Sequence, residues 1–175
     1  MDISKISAGK DIPNNVNVIV EIPQGGAPIK YEVDKDSGAV FVDRIVNTAM
    51  FYPFNYGFIP HTLSEDGDPV DVCILAPYAF APGSVCAVRP IGMLEMEDES
   101  GVDEKIIAVP HDKVYPLYKD VESLDDLPPL VLDQVRHFFE HYKDLEKGKW
   151  VKLKEWRGKD VAFKAILDGQ ARAGK

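Results

Sequence analysis

Alternating apolar and polar residues predict β structure along the first two-thirds of the chain. In the segment 16–22 every second residue, from Val16 to Ile22, is apolar, and these side chains share one face because successive residues of a strand point to opposite sides. The segment 29–33 repeats the alternation. We predict further strands, separated by turns with Gly and Pro, at 40–46, 70–76, 84–96, 105–109 and 150–156.

Two helices are predicted in the last third of the chain. Pro128 and Pro129 suit the start of the first helix, and Gly148 suits its end. A shorter second helix is predicted at 160–172. Within the first helix apolar residues recur at spacings of three and four, at Leu127, Val131, Val135, Phe138, Tyr142 and Leu145. Many short strands followed by helices indicate an α+β fold, with a small barrel or strongly curled sheet and helices on its outside.

Composition and charge narrow the function classes. The 175 residues fit one domain, 1–175, with its own core. A formal net charge of −9 argues against a nucleic-acid partner, because nucleic-acid binding depends on Lys and Arg that neutralise phosphates.

No run approaches the ~20 apolar residues of a membrane span, and the segment 1–11 lacks the apolar centre of a signal peptide. Cys73 and Cys86 lie in apolar strands, so we expect buried free thiols and a cytoplasmic protein, with a disulfide or metal-binding pair as the alternative.

Three carboxylates lie close together at Asp66, Asp68 and Asp71, around a Gly and a Pro. Two carboxylates about 4 Å apart repel each other by roughly 4 kcal/mol at an effective dielectric near 20. An EF-hand loop is excluded, because the sixth and twelfth positions from Asp66 are Asp71 and Pro77 rather than Gly and Glu. Two interpretations remain: a solvated acidic turn, or a divalent-metal site in which the strand 70–76 fixes Asp71.

Two further acidic sets accompany this cluster. Asp98, Glu99 and Asp103 lie in a predicted hairpin loop, for which a solvated loop is the simpler interpretation. Glu21 and Glu32 point away from the apolar faces of their strands, as residues on an ordinary solvated sheet face also do. All five carboxylates are nevertheless candidate ligands for a hard cation such as Mg²⁺.

Basic and phenolic side chains are interspersed with the acidic sets. Lys30 shares a strand face with Glu32, and Arg44 lies in an apolar row where a guanidinium needs an anionic partner. Carboxylates that hold metals, together with Lys, Arg and Tyr that contact anion oxygens, are the components of a metal–phosphate site. Core packing is the alternative for the tyrosines. The candidates are Lys30, Arg44, Lys105, Lys143, Tyr52, Tyr56 and Tyr142.

The histidines carry less information. His137 and His141 are one helical turn apart, a spacing that can hold Zn²⁺, but no Cys or Glu-rich motif accompanies them. A surface or subunit-contact role is the prediction for this pair.

The chain resembles the soluble family I inorganic pyrophosphatases in their short bacterial form. The motif that carries the resemblance is Asp66-Gly67-Asp68-Pro69-Val70-Asp71-Val72. The remaining motifs appear in the family's order, and together they extend from about residue 10 to 156: Glu21, Lys30-Tyr31-Glu32, Val42-Asp43-Arg44, Tyr52-Pro53, Asn55-Tyr56-Gly57-Phe58-Ile59-Pro60, Asp98-Glu99-Ser100-Gly101-Val102-Asp103 with Lys105, and His141-Tyr142-Lys143-Asp144-Leu145-Glu146.

The resemblance implies a small OB-like closed β-barrel with flanking helices, a cytoplasmic homohexamer, and hydrolysis of pyrophosphate with several Mg²⁺ ions per subunit. The implied metal ligands are Asp66, Asp71, Asp98, Asp103 and Glu32, with Glu21 and Glu99 as outer-sphere ligands. The implied phosphate contacts are Lys30, Arg44, Tyr56, Tyr142 and Lys143. Tyr52, Glu99 and Lys105 are implied supporting residues.

The expected mechanism is direct attack of a metal-bridged water or hydroxide on one phosphorus. Two Mg²⁺ ions bridging such a water would lower its pKa strongly; metal binding can lower the pKa of a water from about 15.7 to about 7. Asp68 is not among the implied metal ligands, and it is our candidate for the group that accepts the water's proton. Two other hypotheses remain at this point: a non-enzymatic OB-fold binding module, which should show a basic face with exposed aromatics, and a metal-dependent phosphatase for nucleotides or phosphate esters.

Overall fold

A computed structural model describes residues 1–174 of the chain, which contain ten strands and two α-helices. The first strands are β1 (Gly9–Asp11), β2 (Asn15–Ile22), β3 (Ile29–Val33), β4 (Val40–Ile45) and β5 (Asn55–Phe58). They are followed by β6 (Asp71–Ile74), β7 (Val85–Asp98), β8 (Gly101–Val102) and β9 (Lys105–Pro110). The chain ends with α1 (Pro129–His141), β10 (Val151–Arg157) and α2 (Lys159–Ala173). The predicted α+β class is therefore confirmed.

One eight-stranded sheet organises the molecule. Its order is β1-β2-β5-β6-β9-β7-β10, with β8 beside β7. Because β2 also pairs with β7, the pairings run from β2 through β5, β6, β9 and β7 and return to β2. Strands β6 and β9 are parallel, so their first residues lie side by side. Strands β3 and β4 form a separate hairpin sheet.

The alternation predicted for β2 is confirmed by burial. Val16, Val18 and Val20 are fully buried in one core cluster, against which Ala162 and Ile166 of α2 also pack. A second cluster lies under α1, where Phe138 and its neighbours pack against aromatic residues preceding and within β5. Each helix therefore covers part of the sheet with its apolar stripe.

Strand β5 was not predicted as a strand, because the aromatic segment around it indicated core packing. Gly57 explains how this segment joins the sheet. A Cβ on Gly57 would lie 2.0 Å from the Ile19 carbonyl oxygen, so only glycine allows β5 to approach β2 this closely. The packing interpretation is also correct, since Phe54 and Phe58 are buried.

The predicted end of the first helix differs from the observed one. Helix α1 ends at His141, with Tyr142 as its C-cap, and the chain then turns through residues 143–149. Gly148 has a φ of +80°, which continues this turn rather than ending a helix. The earlier stop matters because it brings several charged side chains to the edge of the sheet.

The two cysteines are free and buried, as predicted. Among the described residues, no helix combines the length and apolar character needed to cross a membrane.

Candidate active site

The predicted site residues come together around two adjoining cavities. The central cavity has a volume of about 250 Å³ and is lined by every predicted site residue except Glu21 and Glu32. Those two glutamates line the adjoining cavity, of about 440 Å³, which shares Lys30, Tyr56, Asp68 and Asp71 with the central one. Three lining residues of the central cavity were not predicted: Ser100, Phe139 and Lys149.

A buried lysine neutralises two of the carboxylates. Asp71 and Lys105 are partners in the parallel register of β6 and β9. Lys105 Nζ lies 2.7 Å from Asp71 Oδ2, donates to Tyr56 Oη at 3.1 Å and also contacts Asp103 Oδ1. Burial alone would lower the pKa of Lys105, but Asp71 and Asp103 outweigh this and hold it well above its usual range. The ammonium group is therefore a fixed positive charge beneath the cavity.

A second lysine holds the end of β7. Lys143, in the turn after α1, donates from Nζ to Asp98 Oδ2 at 2.8 Å and lies 3.3 Å from Glu99 Oε2. Lys149 Nζ lies 3.2 Å from the other oxygen of Glu99. Burial opposes the charge on Glu99, yet its own backbone N–H and these two lysines lower its pKa to about 2. Glu99 is therefore ionised at neutral pH.

The β3–β4 hairpin supplies the other cationic groups. Lys30 and Arg44 are paired across the hairpin. Lys30 Nζ lies 2.5 Å from Glu32 Oε1 and 3.0 Å from Asp43 Oδ2. Burial would lower the pKa of Lys30, but Glu32 and Asp43 raise it overall. Arg44 Nη1 lies 3.4 Å from the same Asp43 oxygen. The predicted anionic partner of Arg44 is thus present.

The turn that precedes β6 fixes the backbone of Asp68 and exposes its side chain. Asp66 Oδ1 accepts a hydrogen bond from the Asp68 backbone N–H at 3.0 Å, and Gly67 between them has a φ of +95°. The Asp68 side chain is 73% exposed, and its Oδ1 lies 3.3 Å from Lys35 Nζ. Burial raises the pKa of Asp66. Asp68 is therefore the most accessible carboxylate at the point where the two cavities meet.

The Glu21 side chain connects β2 to the β3–β4 hairpin, and burial disfavours its ionised form. Its Oε1 accepts a hydrogen bond from the Val33 backbone N–H at 2.8 Å. Burial raises the pKa of Glu21 to about 7, helped by Asp71 and Glu32 and opposed by the Val33 hydrogen bond. Among the predicted carboxylates Glu21 is thus poised to change charge near neutral pH.

The tyrosines pack in the core and also line the central cavity, so the core-packing interpretation is correct and their role as phosphate contacts stays a prediction. The rings of Tyr52 and Phe138 lie 4.5 Å apart, and those of Tyr142 and Phe138 are stacked at 5.1 Å. Burial raises the pKa values of Tyr52, Tyr56 and Tyr142. Their hydroxyl groups keep their protons and can donate hydrogen bonds to an anion.

The site's ligand chemistry suits Mg²⁺. The carboxylates of Asp66, Asp71, Asp98 and Asp103 all line the central cavity and are hard oxygen donors, which Mg²⁺ prefers. Within residues 1–174, no group of three or more His, Cys, Asp or Glu side chains is already arranged to hold a metal ion. Instead, Lys105 and Lys143 balance the carboxylates in this arrangement.

Sequence reasoning gave no role to three charged residues that the structure brings to the site. Asp43 contacts both Lys30 and Arg44, Glu146 contacts Arg44, and Lys149 contacts Glu99. Glu146 and Lys149 lie in a turn without periodicity, so spacing could not assign them a face; Asp43 could have been found from its position beside Arg44.

His141 Nδ1 lies 2.9 Å from Asp144 Oδ2, outside both cavities. The subunit-contact role of His137 and His141 stays a prediction.

Comparisons with known proteins identify the family of the chain. A family model described as "Inorganic pyrophosphatase" matches residues 18–173. An inorganic pyrophosphatase from Pseudomonas aeruginosa is 61% identical over 171 residues, which cover 98% of each chain. The Escherichia coli inorganic pyrophosphatase is 54% identical, over 99% of this chain and 98% of its own. The crystal structure of inorganic pyrophosphatase from Thermus thermophilus has a TM-score of 0.94 at 41% identity and covers all of both chains. The chain therefore belongs to the inorganic pyrophosphatase family.

Proposed function

We propose that this chain hydrolyses inorganic pyrophosphate to two orthophosphates with several Mg²⁺ ions per subunit. The observation that carries the proposal is the central cavity, which is lined by carboxylates of the 66–71 and 98–103 segments together with Lys30, Arg44, Lys143 and three tyrosines. A doubly phosphorylated anion needs both components, because the carboxylates alone would repel it. The family membership supports the same reaction.

The metal sites follow from the acidic groups. Asp66, Asp71 and Asp103 would hold a first Mg²⁺, with Asp71 shared by a second. Asp98 and Asp103 would hold an ion that arrives with the substrate. Glu32 would hold a further ion at the adjoining cavity, with Glu21 and Glu99 as outer-sphere ligands. Bound at these carboxylates, Mg²⁺ supplies a water of lowered pKa and polarises phosphate oxygens.

The protein's own groups bind the substrate and move the proton. Lys30, Arg44 and Lys143 would bind phosphate oxygens through charge-assisted hydrogen bonds, and Tyr56 and Tyr142 would donate hydroxyl protons to the same anion. Tyr52 and Lys105 support these groups from below the cavity. Asp68 would accept the proton of the attacking water, since its carboxylate is the most exposed and its backbone is fixed. As the bridging P–O bond breaks, Lys30 and Arg44 stabilise the charge on the leaving orthophosphate. The reaction needs no covalent enzyme intermediate.

The test is orthophosphate release from pyrophosphate by purified protein, with and without Mg²⁺. We expect release that depends on Mg²⁺ and stops when a chelator is added. Chelator-treated protein that cleaves pyrophosphate as fast as the magnesium-loaded protein would reject the proposal.

Two parallel measurements address the rival functions. ATP in place of pyrophosphate tests a nucleotide phosphatase, and filter binding of single-stranded DNA tests a non-enzymatic OB-fold module. We expect slow or no release from ATP and no DNA retention, because the cavity is compact and the chain carries a net charge of −9. DNA binding without orthophosphate release would favour the binding module.

The architecture and assembly belong to the same proposal. The return of the strand pairings to β2 supports a closed, OB-like barrel with flanking helices, in a single pyrophosphatase domain that spans residues 1–175.

A cytoplasmic homohexamer is proposed from the family resemblance and from large exposed apolar side chains such as Phe41, Val42 and Ile45. Light scattering in solution should give six times the mass of one 19.5 kDa chain; a monomeric mass would refute the assembly without affecting the proposed reaction.

A further inference from the structure

Glu146 is a buried carboxylate that the reaction described above does not use. It lies in the turn after α1, where its backbone N–H donates to the Lys143 carbonyl at 2.8 Å and its carbonyl accepts from the Lys149 N–H at 3.2 Å. Its side chain is only 8% exposed. Its Oε1 is buried without a hydrogen-bond partner in the part of the chain that the structure describes. Burying a carboxylate oxygen without a hydrogen-bond partner lowers the stability of the fold, so the position of Glu146 calls for a functional explanation.

The only ionic contact of Glu146 among the described residues joins it to Arg44. Glu146 Oε2 lies 3.4 Å from Arg44 Nη2, while Asp43 Oδ2 lies 3.4 Å from Arg44 Nη1. Arg44 Nε is buried and also has no hydrogen-bond partner within residues 1–174. A guanidinium has five N–H donors, so two long contacts leave most of them free. Arg44 is thus held on two sides while its donors remain available to another anion.

The Arg44–Glu146 pair is poorly suited to stabilising the fold. Removing two charges from water carries a large free-energy cost for each ion, and only short contacts with all hydrogen-bonding atoms satisfied recover it. Here the contact is long and each partner keeps an unsatisfied buried atom. A role in orienting Arg44 explains the arrangement better, because Arg44 lines the central cavity and Glu146 does not.

We propose that Glu146 is a positioning residue that holds the Arg44 guanidinium toward the central cavity, so that it binds a phosphate group of the substrate. The proposal deepens the pyrophosphatase function proposed above and rests on it. Glu146 does not touch the substrate and acts through Arg44 alone.

The sign of the effect separates positioning from simple electrostatics. Glu146 is negative, and so is the substrate. If Glu146 acted only through its charge, Glu146→Gln would strengthen pyrophosphate binding. If it positions Arg44, the same substitution weakens binding, because a misplaced guanidinium loses its contact with the phosphate.

The experiment is a double-mutant cycle of Glu146→Gln and Arg44→Ala, with Glu155→Gln as the matched control. Glu155 is an exposed glutamate on β10 that lines neither cavity, so Glu155→Gln is the same chemical substitution at a position away from the site. We expect Glu146→Gln to raise KM and lower kcat/KM for pyrophosphate by about tenfold in the natural background. In the Arg44→Ala background we expect a change of no more than about twofold, because the interaction is already lost. Glu155→Gln should leave both constants unchanged.

Two results would overturn the proposal: a KM that stays the same or falls in Glu146→Gln, or an equal loss of kcat/KM in both Arg44 backgrounds. The urea midpoint of each variant is measured alongside, and a lowered midpoint accompanied by equal losses in both backgrounds identifies a structural residue.

Binding of a pyrophosphate analogue with a non-hydrolysable methylene bridge, measured by calorimetry with Mg²⁺, gives a readout that does not depend on turnover. We expect Glu146→Gln to weaken this binding about tenfold when Arg44 is present, and unchanged binding would overturn the proposal. If the natural protein releases no orthophosphate, the proposed function fails, while the binding cycle still decides the role of Glu146.

Discussion

Replacing Glu21 with Gln should stabilise the protein at alkaline pH, although it removes a residue of the site. Burial raises the pKa of Glu21 from its ordinary 4.5 to about 7 in the folded protein. A group whose folded pKa is raised favours folding at pH values below its unfolded pKa, and this contribution is lost as the pH rises through the folded pKa. Since one pH unit is worth about 1.36 kcal/mol, the ionised side chain costs about 3 kcal/mol at pH 8. Gln avoids this cost and can still accept the Val33 hydrogen bond.

The assay is urea unfolding of both proteins at pH 8 and pH 5, in the presence of a chelator. We expect Glu21→Gln to raise the free energy of unfolding by about 3 kcal/mol at pH 8 and by less than about 1 kcal/mol at pH 5. Glu155→Gln, an exposed control, should show no such difference. A gain that is equal at both pH values, or no gain at pH 8, would refute the reasoning.

Three further predictions concern the carboxylates and Lys105. Asp68→Asn should keep the fold but lose most orthophosphate release, because the amide cannot accept the water's proton; a near-normal kcat would contradict this role. Asp71→Ala should raise the Mg²⁺ concentration for half-maximal activity more than Glu99→Ala does, and equal titration curves would refute the assigned ligands. Lys105→Met should lower the free energy of unfolding in urea by about 3–5 kcal/mol, because Asp71 and Asp103 lose their buried cation; an unchanged urea midpoint would refute it.

Alternation of apolar and polar residues predicted the limits of two strands closely. The segment 29–33 was predicted with its observed limits, and β2 differs by one residue. Alternation does not reveal a strand whose residues are buried on both sides. Most residues of β5 are buried, and so is Ile19 on the neighbouring strand β2. A third core cluster, formed by Ile19, Val33 and Phe58, covers the face of these strands that would otherwise be exposed to solvent. The aromatic composition of β5 therefore indicated packing but not pairing.

The residues of the candidate site also fall into those whose position the sequence could predict and those whose position it could not. Residues on strands or beside a Gly–Pro turn, such as Asp71 and Lys105, could be placed in advance because their spacing fixes a face. Glu146 and Lys149 could not, since they follow the end of α1 in a turn whose direction depends on tertiary contacts. The sequence also could not show that lysines would balance the carboxylates, because Lys143 and Asp98 are brought together from distant parts of the chain.

The parallel register of β6 and β9 makes the cavity sensitive to errors of folding. Asp71 and Lys105 face each other only because both begin their strands at the same level. A slip of one residue would turn Lys105 to the opposite side of the sheet and leave the remaining carboxylates without its charge. Misaligned molecules would then retain their helices and lose catalysis, so enzymatic assay should detect this defect earlier than circular dichroism does.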